Sequence, residues 1–194
     1  MVFKNTNIGR LIHETMSLEK TASKINFDPT EAVKVANGLE KIASYDYNEK
    51  VYSSVTPKIK QDNVFIHLGD TITQLPIILD KIPQNENILF WLEAHLPDFT
   101  DKDFISAPRD TKIPLKKELE AIKNKRYMYK DFIICDDLRI YEDGPFQHGC
   151  WSGRLQFGDV GTSFISEIFL ETHDIYKLYN HEGYIYIIPK EISK

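Results

Sequence analysis

The sequence predicts an α/β fold: a doubly wound, Rossmann-like, mostly parallel sheet that ends in an antiparallel hairpin. Strand-like runs alternate with helix-like patterns along most of the chain, which is typical of a parallel sheet covered by helices. The last two strand-like runs are separated by Asn180-His181-Glu182-Gly183, a hairpin signal. The chain has 194 residues, 42% of them hydrophobic. This length and composition predict a single domain over residues 1–194.

The first half of the chain contains three strand signals and three helix signals in alternation. Leu11–Glu14 is a candidate first strand, and Asp28-Pro29-Thr30-Glu31 has the cap residues that begin a helix. The elements predicted after that helix are a strand at 41–46, a weak helix ending near Pro57, a strand at 64–68 and an amphipathic helix over 72–82.

Two strand signals dominate the second half: the continuous apolar run Ile88–Leu92 and a second strand of the buried type at Asp131–Cys135. Runs without alternation indicate central strands covered on both faces, and we expect these two to be adjacent and parallel. The remaining predicted elements are a loop over 97–112, a helix from Pro114, an irregular segment over 139–161, a helix over 162–171 and strands at 174–179 and 184–188.

Composition excludes several classes of function. The formal net charge is −5 and there is no basic block, which argues against a dedicated binder of nucleic acid. The longest apolar runs have five residues, too few to span a membrane, and the first ten residues contain no apolar signal region. Two cysteines cannot build a disulfide framework or a four-cysteine zinc site. We therefore expect a cytoplasmic protein with a small-molecule partner, and homo-oligomerisation stays open.

Acidic residues follow nearly every predicted strand. In an open α/β sheet, ligands bind outside the carboxyl ends of the strands, and an acid after the second strand commonly binds the ribose of a nucleotide-like cofactor. Taken alone, each acid could instead cap a helix or lie in a solvated loop. The residues at these strand ends are Glu14, Asp46, Gly69-Asp70, Glu93 with His95, and Asp136-Asp137.

Glu93, His95, Asp136 and Asp137 form the most specific cluster. Glu93 and His95 are two residues apart, so they point to the same side of an extended chain. Three carboxylates at one rim favour a hard cation such as Mg²⁺, and the imidazole could serve as a general base. The alternative is that one aspartate caps the next segment or pairs with Arg139.

The 139–161 segment is too long and too rich in glycine for a simple connection, and long loops in compact domains are often functional. We expect it to cover the substrate side of the sheet. The side chains expected to supply apolar walls and an anion contact are Tyr141, Phe146, Trp151 and Arg154.

Three segments carry a resemblance to a known family: FWLEAH at 90–95, IPLKKELEAI at 113–122 and DFIICDDLRIYEDG at 131–144. They resemble the class I S-adenosylmethionine-dependent methyltransferases, particularly the group related to macrocin O-methyltransferases. Members typically show E-T-G after strand one, an acid after strand two, L-G-D after strand three, W-L-D-A-H or D-G-D after strand four and I-D-D after strand five. The corresponding segments here are Glu14-Thr15, Asp46, Leu68-Gly69-Asp70, 91–95 and 135–137.

The resemblance implies a role for each matching position. Asp46 would bind the ribose, Gly69, Asp70 and the adjoining Thr71 would lie against the adenine, and Glu14 would lie near the methionine end of S-adenosylmethionine. Glu93, Asp136 and Asp137 would hold Mg²⁺, while His95 occupies the place of a catalytic acid. The chain departs from the family at 14–19, where the glycine-rich turn is replaced by a segment without glycine.

The leading hypothesis is therefore an S-adenosylmethionine-dependent O-methyltransferase that acts on a small-molecule hydroxyl with Mg²⁺ assistance. Two alternatives remain open. A non-catalytic binding protein with the same fold is favoured by the missing glycines, and a metal-dependent phosphoester hydrolase is compatible with the acidic rim alone.

Overall fold

The computed structural model describes residues 2–4, 41–46, 49–58, 64–85, 88–93, 108–126, 130–147, 149–150 and 161–190. Within these ranges, seven strands form one mixed sheet in the order β3-β2-β1-β4-β5-β7-β6. The strands are β1 Val2–Lys4, β2 Lys41–Asp46, β3 Val64–Leu68, β4 Ile88–Leu92, β5 Phe132–Cys135, β6 His173–Leu178 and β7 Tyr184–Pro189.

The strand directions confirm the centre and the end of the predicted sheet. β2 pairs in parallel with β3, and β4 pairs in parallel with β5 in a register that places Leu89 opposite Phe132. β7 is antiparallel to both β5 and β6, so the closing hairpin is present as predicted. Strands β2 to β6 all run in one direction, whereas β1 and β7 run against them.

The strand between β2 and β4 was not predicted from the sequence. Val2–Lys4 forms it and runs antiparallel to both neighbours, with Val2 opposite Ala43 and Phe90. The predicted first strand, Leu11–Glu14, and the helix predicted from Asp28 lie outside the described residues. Three residues are too few to produce a recognisable periodicity, which is why the sequence did not reveal β1.

The described helices are α1 Glu49–Val55, α2 Thr71–Leu79, α3 Arg109–Lys112, α4 Leu115–Arg126 and α5 Ser163–Phe169. α4 packs beside both α2 and α5, so these three helices form one layer, and α1 contacts β2 and β3. Helices on both faces of the sheet remain a prediction. None of the described helices is long and apolar enough to cross a membrane.

The hydrophobic core lies between the centre of the sheet and the layer that contains α4. Ile88, Phe90 and Ile133 are fully buried, as expected for strands covered on both faces. Leu115, Leu119 and Ile122 recur at helical spacing and form the buried face of α4. This packing holds α4 against the sheet.

A buried ion pair joins α4 to the opposite edge of the sheet. Arg126 ends α4, and its Nε lies 2.5 Å from Oδ2 of Asp131, just before β5. Asp131 Oδ1 accepts hydrogen bonds from Arg126 Nη2 at 3.0 Å and from the Ile88 amide at 2.8 Å. His173 Nε2 donates to the Asp131 carbonyl oxygen at 3.1 Å. Asp131 thereby connects the starts of β4, β5 and β6.

Gly183, in the turn between β6 and β7, allows that turn to approach the segment after β5. Its φ is +86°, and an added Cβ would lie 2.4 Å from the Phe146 ring and 2.8 Å from Leu138 Cβ. We expect Gly183→Ala to lower the free energy of unfolding by about 2 kcal/mol or more, because backbone strain adds to the overlap. Urea denaturation measures this loss.

Gly149→Ala is the matched control for backbone strain. Gly149 also has a positive φ, +77°, but no described atom lies within 4 Å of an added Cβ. Its replacement should therefore cost only the strain, about 1 kcal/mol. Equal losses at the two positions would contradict the close approach at Gly183.

Candidate functional site

Four parallel strands end at the same edge of the sheet, and the predicted acidic residues follow them there. The strand order runs β2 and β3 to one side of β1, and β4 and β5 to the other. In open α/β sheets, ligands bind outside the carboxyl ends where the order reverses in this way. The segments at this edge are Asp46 at the end of β2, Gly69-Asp70 after β3, Glu93 after β4 and Asp136-Asp137 after β5.

A small cavity of about 10 Å³, room for about one water molecule, lies at the carboxyl ends of β4 and β5. Four carboxyl groups contribute to its wall, and they come from three separate segments of the chain. All three predicted metal-binding residues are among them, so the structure brings these residues together. The lining residues are Leu92, Glu93, Leu115, Glu118, Asp136, Asp137, Ile140 and Tyr141.

Glu93 forms the exposed rim of the cavity. It directly follows β4, and its Oε2 accepts a hydrogen bond of 2.7 Å from the Trp91 indole. The two side chains lie on the same side of the chain because they are two residues apart in an extended segment. This hydrogen bond fixes the orientation of the Glu93 carboxylate. It uses Oε2, and Oε1 does not take part in it.

Asp136 lies deeper, beside Glu93. Its amide donates to the Leu92 carbonyl oxygen at 2.9 Å, which extends the β4–β5 pairing by one residue. Its Oδ1 accepts a hydrogen bond of 2.8 Å from the Asp137 amide. Burial, followed by the negative charge of Asp137, raises the pKa of Asp136 to about 7, and the charge of Glu93 adds to the rise.

Asp137 is held in a sparsely populated backbone conformation. Its φ and ψ are 55° and 48°, left-handed values that cost energy for any residue except glycine. The next two amides, of Leu138 and Arg139, donate to the carbonyl oxygens of Gly183 and Glu182 at 2.9 and 3.1 Å. The hairpin turn thus holds this segment in place.

The Asp137 carboxyl faces a cation as well as the cavity. Its Oδ1 lies 3.4 Å from Arg139 Nε, and Arg139 also pairs with Glu182. The alternative prediction that one aspartate pairs with Arg139 therefore describes Asp137. Asp136 has no ion pair of this kind among those found within the described residues.

Glu118 is the member of the site that the sequence analysis missed. It belongs to α4 and is 1% exposed, and its carboxyl group lies beside the Thr71 side chain. Burial raises the pKa of Glu118 to about 7, and the neighbouring Thr71 side chain lowers it only in part. The signal was present in the sequence, since position 118 falls on the apolar face of α4.

The residues predicted to contact the cofactor lie on the β2 and β3 side of the same edge. Asp46 ends β2 opposite Leu68. Gly69 has a φ of +142°, and Asp70 caps α2 by accepting hydrogen bonds from the Thr73 amide at 3.0 Å and the Thr73 hydroxyl at 2.6 Å. Asp70 is therefore one of the acidic residues after a strand that cap a helix. Glu14 and His95 lie outside the described residues.

The 139–161 segment contributes part of what was predicted for it. Tyr141 lines the cavity together with Asp136. Phe146 is buried elsewhere, with its ring 5.4 Å from the Tyr179 ring and in contact range of Gly183. Trp151 and Arg154 fall outside the described residues, so the prediction that they cover the substrate side stays a prediction.

The donor chemistry of the cavity suits a hard cation, but its carboxyl groups do not converge on one point. No group of three or more histidine, cysteine, aspartate or glutamate side chains within the described ranges is arranged to hold a metal ion directly. Magnesium keeps several of its waters and binds proteins through only one or two carboxylates. The cavity has room for about one water molecule, so the described side chains do not form a site that fits a hydrated ion.

No protein-family model and no curated protein matches this chain. Three solved structures are similar to it at low sequence identity. A protein from Corynebacterium glutamicum has 13% sequence identity and a TM-score of 0.50, and the match covers 81% of this chain and 66% of that one. The SAH-bound methyltransferase PaMTH1 of Podospora anserina has 15% identity and a TM-score of 0.48, with 77% of this chain and 61% of that one covered. A proposed caffeoyl-CoA O-methyltransferase of Staphylococcus aureus has 11% identity and a TM-score of 0.49, with 80% and 67% covered.

The likeness to the Corynebacterium protein shows a shared α/β fold. The chain spans only about three fifths to two thirds of the length of the first two of these structures, with 66% of the Corynebacterium protein and 61% of PaMTH1 covered.

Proposed function

We propose that this chain is an S-adenosylmethionine-dependent methyltransferase that acts on a hydroxyl group of a small molecule. The observation that carries the proposal is the carboxyl edge of the sheet. The described residues of the motifs that the resemblance assigns to strands two to five lie at the ends of β2, β3, β4 and β5 or directly after them, which supports the proposal. The cavity beside β4 and β5 adds an acidic wall at the same edge.

The cofactor would lie across the switch in strand order, where Asp46 would accept hydrogen bonds from the ribose hydroxyls. Gly69 supports this proposal because its φ of +142° allows the turn after β3, while the Gln74 side chain fills the space that a Cβ would occupy. Thr71 begins α2 beside this turn. S-adenosylmethionine would supply the methyl group, and the protein's task is to hold the acceptor oxygen in line with it.

The acceptor would enter from the cavity side. Mg²⁺ binding by Glu93, Asp136 and Asp137 stays a prediction, because the described side chains do not form a site that fits the ion. His95 would accept the hydroxyl proton as a general base. Tyr141 supports the placement of the acceptor because it supplies an aromatic wall next to Asp136.

One observation favours the non-catalytic alternative. The strand between β2 and β4 is antiparallel, so its carboxyl end lies at the opposite edge of the sheet from the carboxyl ends of β2 to β5. A binding protein could retain the remaining edge without catalysis. Cofactor binding, measured directly, separates the two functions.

We expect S-adenosylmethionine or its demethylated product to bind, with heat detectable by calorimetry. Asp46→Ala should weaken binding by about 1–3 kcal/mol, because a hydrogen bond to a charged group is lost. Asp110→Ala is the matched control: Asp110 is exposed in α3 and should not affect binding. An absence of heat and of a thermal shift at millimolar ligand would contradict the methyltransferase proposal and leave the non-catalytic one.

A further inference from the structure

The last strand of the described sheet, β6, has an open edge. β7 pairs with one side of β6 only. The Lys190 amide donates to the Thr172 carbonyl oxygen at 3.2 Å, so the Thr172 carbonyl faces β7. Because this direction alternates along an antiparallel strand, the N–H and C=O groups of His173, Ile175 and Lys177 face outward. No backbone–backbone hydrogen bond is found on the outer side of these three residues in the part of the chain that the structure describes.

This edge lacks the features that usually protect an edge strand from pairing with another chain. Protected edges are typically very short, bulged, interrupted by proline or guarded by lysine. β6 has six residues without proline, and it pairs with β7 residue for residue, without a bulge. The Lys177 ammonium group is turned toward its own chain, where it donates to Glu142 and Thr162. The outward N–H and C=O groups of β6 are therefore available to a further strand.

Two exposed apolar side chains accompany this edge. Tyr176, within β6, is 48% exposed, and Leu170, three residues before the strand, is 57% exposed. A strand that pairs with β6 would cover part of this apolar surface, and burial of apolar area favours association. The edge thus combines unpaired hydrogen-bonding groups with apolar area.

A second copy of β6 is complementary to this edge. In a twofold pair of antiparallel strands, each contact between two residues occurs twice. A pair centred on Ile175 places His173 opposite Lys177, so that three outward residues of each copy, each with one donor and one acceptor, form six hydrogen bonds. On the other face of the sheet, Asp174 lies opposite Tyr176 of the second copy, where the phenol can donate to the carboxylate.

Charge and hydrogen bonding select this register over its neighbours. A pair centred on Asp174 places two carboxylates opposite each other, and a pair centred on Lys177 does the same with two ammonium groups. A pair centred on Tyr176 leaves the outward groups of His173 without a partner in the strand. In the register centred on Ile175, His173 faces Lys177 without repulsion, because burial lowers the pKa of the imidazole and keeps it neutral near pH 7.

We propose that this chain forms a twofold-symmetric dimer in which the β6 strands of two copies pair antiparallel about Ile175. The two seven-stranded sheets then form one continuous sheet. Two six-residue strands make a small interface, so we expect a reversible dimer. β6 is two strands away from β5, so the dimer leaves the carboxyl ends of β2 to β5 accessible.

Sedimentation velocity at several protein concentrations gives the dissociation constant of the dimer, and charge at position 176 tests the register. Tyr176→Asp should raise this constant roughly tenfold, because two carboxylates then oppose each other twice. Tyr176→Lys should leave the constant unchanged or lower it, because an ammonium group then opposes Asp174. Ile77→Asp is the matched control: Ile77 is 50% exposed but lies in α2, so its replacement should change the constant less than about twofold.

Hydrogen exchange identifies the strand that pairs. The outward amides of His173, Ile175 and Lys177 should exchange slowly in the dimer and rapidly after dilution. The amides of Asp174 and Tyr176 face β7, so their protection should not depend on concentration. These five amides therefore contain both the test and its internal control.

Three results would overturn the dimer. They are a wild-type protein that stays monomeric up to about millimolar concentration, a dimer that Tyr176→Asp and Tyr176→Lys affect equally, and open-ended assemblies that grow with concentration. None of these measurements involves S-adenosylmethionine, so the methyltransferase proposal is tested separately by calorimetry.

Discussion

Asp131→Asn is expected to lower the free energy of unfolding by about 3–5 kcal/mol, the loss typical of a broken buried ion pair. Asparagine keeps the size of the side chain and can still accept the hydrogen bond from the Ile88 amide. It removes the negative charge that faces the buried Arg126 guanidinium 2.5 Å away. The loss therefore arises from a buried positive charge deprived of its carboxylate.

Urea denaturation of two further variants separates this effect from a general loss of packing. Lys125→Met removes the neighbouring ion pair with Asp80, whose side chains are both exposed, and should cost less than about 1 kcal/mol. The double variant Arg126→Met/Asp131→Asn should be more stable than Asp131→Asn alone, because no unpaired charge remains. Equal losses for Asp131→Asn and Lys125→Met would contradict the account.

The central strands were predictable because their physical demands are visible in a few residues. Ile88–Leu92 and Phe132–Cys135 are continuous apolar runs, which is typical of strands covered on both faces. The closing hairpin was predictable because Gly183 marks its turn. The structure has these strands at 88–92 and 132–135 and the hairpin around 180–183.

The strand between β2 and β4 was not predictable in the same way. Val2–Lys4 has three residues, and its place is decided by pairing with β2 and β4, far away in sequence. Neither periodicity nor turn signals report such long-range pairing. The direction of a short strand is likewise set by its neighbours, and Val2–Lys4 is antiparallel to both.

The site was predictable where it depends on strand ends and unpredictable where it depends on tertiary packing. Glu93 and Asp136 lie together because adjacent parallel strands end at one edge. The left-handed backbone of Asp137 is imposed by the hairpin turn that binds the following amides, and no local sequence signal indicates it. The burial of Glu118 was not predicted because only apolar residues contribute to the helical periodicity that predicts the buried face of α4.

Glu118→Gln is expected to stabilise the cation-free protein above neutral pH. Burial raises the pKa of Glu118 from 4.5 to about 7, so the folded state holds a proton that the unfolded state releases. Stability from this group is complete below pH 4.5 and is lost as the pH rises through 7. At pH 8 the neutral glutamine should raise the free energy of unfolding by about 3 kcal/mol, and at pH 5 by less than about 1 kcal/mol.

The sign and the pH dependence of this difference distinguish it from an ordinary packing effect. The groups beside Glu118 are the Thr71 hydroxyl, the Cys135 thiol, the Tyr141 phenol and the charge of the amino terminus, which lowers the pKa of Glu118. The pKa values of the thiol and the phenol are raised well above their usual ranges, so both stay uncharged between pH 5 and 8. The pKa of Asp136 is also raised to about 7, so Asp136 titrates in this range too. Urea denaturation in a chelator at the two pH values gives the difference, with Glu120→Gln as control, because Glu120 pairs with Lys117 on the outer surface of the same helix. A gain that is the same at pH 5 and pH 8 would mean that Glu118 is not held protonated by burial.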